Sequence, residues 1–151
     1  MINSGEAIVK DLEDLDLNGF IKKINRHFAK IPYYVFQQAK EGFYQAVFFT
    51  LLESSGLRTL SELSTNVGRI DLMTETSNLI CIFELKLDQE ADIALTQAET
   101  KKYKERFSGN TQKILVVGIS FSSNSRNIGD WKGTLYSGEE KIKEIFAQNG
   151  K

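Results

Sequence analysis

The chain has 151 residues, enough for one domain with a sizeable core, and its 41% hydrophobic and 26% charged content is ordinary for a globular protein. A formal charge of −1 and a pI near 5.9 exclude a generally basic nucleic-acid coat, so any phosphate-binding surface must be local. One cysteine, Cys81, excludes a disulfide framework; no signal-peptide pattern occupies Met1 to Lys10, and the longest nearly apolar run, Tyr44 to Leu52, falls far short of the roughly 20 residues a membrane span needs. The expected compartment is the reducing cytoplasm, without a membrane partner.

Residues 2–14 carry charge and some helix formers, with Asn3 and Ser4 as available caps, and no fold is assigned to them. From Asn18 the spacing of Phe20, Ile21, Ile24 and Phe28 predicts an amphipathic helix ending before Pro32. His27, the only histidine, lies on its exposed side and is read as solvated. Residues 1–36 read as a helical lead-in and 37–151 as the main domain, the two packing as one globular unit. With Met1 at its start, the chain is either a standalone protein or a piece of a longer one. From about Gln37 to Ser54 apolar residues cover nearly the whole circumference, which predicts a buried helix closed by Gly56. Glu41 falls in its first turn, where an acid also suits the helix dipole. Leu57 to Ser64 reads as a first strand carrying Glu62, and 66–68 as a turn.

The next two strands hold the chemistry. Val67 to Thr74 alternates, with Ile70 and Leu72 on one face and Asp71 and Met73 on the other. In Leu79 to Leu87 the odd positions are all apolar, while the even ones pass from Ile80 and Ile82 to Glu84 and Lys86. A strand apolar on both faces is central and buried. Charges at its end cost several kcal/mol each unless partnered. A hairpin turning on Ser77 and Asn78 puts Asp71 opposite Glu84, and a four-residue turn would leave it diagonal on the same face. Asp71, Glu84 and the Leu85 backbone carbonyl suit a hard divalent cation such as Mg2+, with Lys86 placed to orient water or phosphate. The alternative is a cross-strand ion pair with one acid left over.

Asp88 or Asp92 can cap a helix from about Ala91 to Phe107, on which Ala94, Gln97 and Lys101 share a face. Lys113 to Ser120 reads as another inner strand, reached by a parallel crossover. Phe121 to Asn127 reads as a polar loop, Trp131 to Tyr136 as an edge strand and Glu139 to Gln148 as a short terminal helix. Basic residues gather at Lys22, Lys23, Arg26 and Lys30 and again from Lys101 to Arg106; they read mainly as solvated helix faces.

The segments Phe28 to Tyr33, Glu41 to Ala46, Gly68 to Leu72, Phe83 to Asp88, Ala94 to Tyr103 and Val117 to Trp131 together resemble the PD-(D/E)XK, or restriction-endonuclease-like, nuclease superfamily. The resemblance covers about residues 15 to 135 and points to a bacterial branch commonly found C-terminal to an AAA-ATPase-like domain. Ile70 stands where the superfamily name has Pro. The resemblance implies an α/β fold with a mixed central sheet of four or five strands flanked by helices. It further implies metal-dependent hydrolysis of phosphodiester bonds in nucleic acid, DNA ahead of RNA. Asp71 and Glu84 would hold Mg2+, with Mn2+ as substitute, Lys86 would position the attacking water, and Glu41 and Gln97 would complete the catalytic set. Glu62, Tyr103 and Arg126 would be accessory, and an AAA-ATPase-like domain or subunit a partner. The competing reading is a catalytically silent or partner-dependent binding module of the same fold.

Overall fold

In a computed structural model, which describes residues 4–65, 68–100 and 112–147, four α-helices flank one six-stranded sheet. The helices are α1 (Ser4–Glu13), α2 (Leu17–Phe28), α3 (Glu41–Ser54) and α4 (Ala91–Thr100), with a short 3-10 turn at Tyr33–Phe36. The strands are β1 (Arg58–Thr65), β2 (Gly68–Glu75), β3 (Leu79–Leu87), β4 (Lys113–Ser122), β5 (Asn127–Ser137) and β6 (Glu140–Phe146), lying side by side in chain order. Every neighbouring pair is antiparallel except β3 and β4, which α4 joins as the predicted parallel crossover.

Strand β3 is central because both its faces are apolar. Leu79, Cys81, Phe83 and Leu85 enter the larger core with α1, α2 and α3, while Ile80 and Ile82 pack with Leu95 and Ala98 of α4 in the smaller one. Aromatic rings lock the large core: Phe48 lies edge-on to Phe83 at 5.1 Å, and Tyr44 meets Phe121 at 5.2 Å. Phe20 and Phe28 of α2 pack against the same rings. The Asp16 carboxylate starts α2 by accepting from the Gly19 N–H at 3.0 Å.

Several expectations need correction. The sheet has six strands rather than four or five, because Glu140–Phe146, within the expected terminal helix at 139–148, forms β6 instead. Gly138 at φ +60° makes the tight reversal that returns the chain along β5, and backbone pairing overrides the i, i+3 spacing of Ile142 and Ile145. Strand β5 is consequently covered rather than at the edge, and the expected loop at 121–127 shrinks to the turn between Ser122 and Asn127. Residues 4–13, left unassigned, form α1. Helix α3 is apolar all round, yet only the stripe of Tyr44, Phe48 and Leu52 is fully buried. The described part of α4 ends at Thr100, so the expected continuation with Lys101 and Tyr103 lies outside the described residues.

Gly118 of β4 pairs with Glu84, and a Cβ there would stand 2.4 Å from the Leu95 nitrogen and 2.7 Å from the Ala91 carbonyl oxygen. Helix α4 sits this close to the sheet only because the side chain is missing. Gly118→Ala should therefore displace backbone and cost roughly 3 kcal/mol, read as a lower denaturant midpoint. Burial also pushes the Cys81 thiol up to about 12. At pH 8 the folded protein should resist thiol reagents, and labelling should follow the unfolding transition.

Candidate active site

The β2–β3 hairpin turns on Ser77 and Asn78, with the Thr76 N–H donating to the Leu79 carbonyl at 2.9 Å. This is the register expected of the two-residue turn, pairing Leu72 with Phe83 and Met73 with Ile82. Beyond Leu72–Phe83 the ladder stops. The Asp71 side chain now takes the place of the β2 backbone: its Oδ2 accepts from the Leu85 N–H at 2.9 Å. Two residues further along the same edge, Oε2 of Glu41 accepts from the Leu87 N–H at 3.0 Å. Buried backbone donors need partners, and here two carboxylates replace a departing strand. An acidic opening forms where β2 leaves β3.

The alternation of β2 breaks at this point, contrary to expectation. Ile70 packs in the smaller core and Leu72 in the larger, although strict alternation would place them on one face. Across the strand, Glu62 has φ +52°, and the rung it would form with Asp71 is skipped between Ser61–Leu72 and Leu63–Ile70. The skipped rung lets Asp71 turn toward β3. Glu62 itself is exposed and lies 3.7 Å from Arg69.

Glu84 is 1% exposed, on the sheet face covered by α4. Lys86 is half-buried and makes no ion pair among the described residues. It lines an open cavity of about 450 Å³ with Gln97, Gln89 and Thr96, which puts Gln97 beside Lys86. The sheet thus brings Asp71, Glu84, Leu85, Lys86 and Glu41 to one end of β3, with Gln97 beside Lys86. Tyr103 lies outside the described residues.

Sequence reasoning read Asp88 only as a helix cap. In the structure it has φ +56° and joins β3 to the β4–β5 turn: its N–H donates to the Phe121 carbonyl, and its carboxylate accepts from the Ser123 hydroxyl at 2.6 Å and N–H at 2.9 Å. An acid directly after a buried strand was the available signal. The Ser123 hydroxyl, followed by its backbone N–H, holds the Asp88 carboxyl below the usual carboxylate range. Its contribution to stability is present above the ordinary aspartate pKa and is lost as pH falls through the lowered folded value. Asp88→Asn should flatten the acid limb of a stability-versus-pH curve below about pH 4. Arg126 sits exposed in that same turn, at φ +61°.

Among the described residues no three His, Cys, Asp or Glu side chains cluster as around a metal ion. The available donors are oxygens only: the Asp71 and Glu84 carboxylates and the Leu85 carbonyl, which leaves the backbone on the same edge as the Leu85 N–H. Such a set fits a hard divalent cation that takes its remaining ligands from water and phosphate.

A profile of the PD-(D/E)XK nuclease superfamily matches residues 39–131, which include the open β2–β3 edge, α4 and β4. An uncharacterized protein in the vnfD 5′ region of Azotobacter chroococcum mcd 1 is 29% identical over 119 residues, or 75% of this chain and 23% of that protein. The chain thus spans less than a quarter of this relative's length. Members of the superfamily generally are nucleases that use divalent metals. By the match over more than half its length, with a mixed sheet consistent with that fold, the chain belongs to the PD-(D/E)XK nuclease superfamily.

Proposed function

We propose that the protein is a magnesium-dependent nuclease that hydrolyses phosphodiester bonds in DNA. The observation that carries this reading is the Asp71 carboxylate on the Leu85 N–H, which sets it beside the Glu84–Leu85 peptide at the point where β2 departs. Asp71, Glu84 and the Leu85 carbonyl would hold Mg2+, or Mn2+ in its place. The chemistry the ion would supply when bound is a lower pKa for a coordinated water and compensation of phosphoryl charge. Lys86, uncommitted to an ion pair, orients the attacking water and the scissile phosphate. Glu41, anchored on the Leu87 N–H, keeps one carboxylate oxygen for an outer water, and Gln97 fixes the substrate side of the Lys86 cavity. Glu62 flanks the opening as an accessory acid.

The second reading is a catalytically silent or partner-dependent nucleic-acid-binding or protein-binding module of the same fold. An ATPase-like domain or subunit, implied only by the family resemblance, would be the partner of such a module. Purified protein incubated with single-stranded, duplex and branched DNA and with RNA, with and without magnesium or manganese, decides between the readings. Cleavage that requires the metal supports the enzyme; intact substrates in every arm support the silent module.

A further inference from the structure

A second cavity opens at the same end of the sheet, between the end of α2 and the β4–β5 turn. Its volume is about 430 Å³, and Lys30, Pro32, Tyr33, Phe36, Ser125 and Arg126 are among its lining. The walls are fixed to each other: Asn25 donates to the Ile128 carbonyl at 3.0 Å and accepts from the Ile128 N–H at 2.9 Å, and Phe28 packs on Phe121 at 5.7 Å. Arg126 is held in a left-handed backbone conformation, with its N–H donating to the Ser122 carbonyl at 2.7 Å. A non-glycine residue there is uncommon and costs free energy.

Charge and aromatic surface meet at this cavity, which Lys30, Arg126 and Tyr33 line, with Tyr34 next to Tyr33 in the chain. Lys22 and Arg26 of α2 and Lys30, just past its end, are exposed, and neither they nor Arg126 form an ion pair among the described residues. Tyr33 and Tyr34 are 68% and 63% exposed, with rings nearly perpendicular at 83°. Two adjacent tyrosines left this open gain nothing from the core, whereas an unpaired base stacks readily on such a ring. Paired bases keep their faces inside the duplex, so the rings favour a single strand. Ser122 lies two residues beyond Ser120, the neighbour of Lys86, so the turn starts roughly 8 Å from the Lys86 backbone by ordinary strand spacings.

We propose that this cleft is a subsite for an unpaired nucleic-acid strand: Arg126 and Lys30 hold its phosphates, and Tyr33 and Tyr34 stack on its bases. The choice of ligand rests on the nuclease function proposed above; the binding itself needs neither metal nor cleavage.

The test is fluorescence anisotropy of the full chain in EDTA, with a labelled oligothymidylate about 15 nucleotides long and a duplex of equal length. The wild-type protein should bind the single strand more tightly. Tyr33→Ala/Tyr34→Ala should weaken that binding about tenfold or more. Lys30→Gln/Arg126→Gln should lower the slope of log affinity against log salt by about 1.4, and restoring charge with Arg126→Lys should recover about half of that. Unchanged melting temperatures confirm that the variants are folded. Variants that bind the single strand as the wild type does, or a wild type that binds neither ligand or prefers duplex, overturn the proposal. Metal-dependent cleavage with unaltered variant binding removes the subsite and leaves the nuclease reading standing. Variant-sensitive binding without cleavage supports the subsite and counts against the nuclease.

Discussion

Glu84→Gln and Asp71→Asn should each reduce metal-dependent cleavage by about a thousandfold or more, since an ion's share in a phosphoryl-transfer barrier is several kcal/mol and each 1.36 kcal/mol is a factor of ten. Neither change should unfold the protein. Gln keeps the shape of the buried Glu84 side chain and relieves repulsion from the Asp71 carboxylate, so stability without metal should hold or rise. Asn at position 71 keeps an oxygen to accept from the Leu85 N–H. Asp71→Ala removes that acceptor and should cost about 1–3 kcal/mol more than Asp71→Asn. Comparing the two variants separates the carboxylate's charge from its structural bond. Magnesium should raise the melting temperature of the wild type, following RT ln(1 + [L]/Kd), and have little effect on Glu84→Gln or Asp71→Asn. Equal magnesium shifts in all three proteins would count against a metal bound by these residues.

Much of the arrangement was legible because it depends on parity and periodicity. The doubly apolar run of β3 fixed its central place, and the two-residue turn at Ser77 and Asn78 set the register that pairs Leu72 with Phe83, the last rung before Asp71 and Glu84. What could not be read is where pairing stops. The divergence of β2 after Leu72, the left-handed Glu62 and the exchange of backbone partners for the Asp71 and Glu41 carboxylates depend on strands meeting in three dimensions. The tail shows the same limit. Its sequence has a weak helical spacing, and only an available edge on β5 makes a strand the better solution. Gly118 is likewise an unremarkable strand glycine in the sequence; the close approach of α4 gives it meaning.

Lys86→Met should abolish turnover and yet keep the magnesium-dependent rise in melting temperature. Lys86 contributes no oxygen to an ion, and removing a nearby positive charge should leave metal affinity equal or higher. A buried Lys86–Glu84 ion pair would predict the opposite: losing one partner would strand the other charge at a cost of about 3–5 kcal/mol. Lys86 forms no such pair among the described residues and faces an open cavity, so truncation should cost far less. Methionine preserves most of the apolar stem that packs along the cavity wall. Substrate affinity should fall only modestly, because one ammonium is one phosphate contact among several. Three readouts on this single variant then fix the lysine's role. A folded, metal-responsive and inactive protein places Lys86 on the water or the scissile phosphate, whereas a destabilised protein without a metal response assigns it to the support of Glu84.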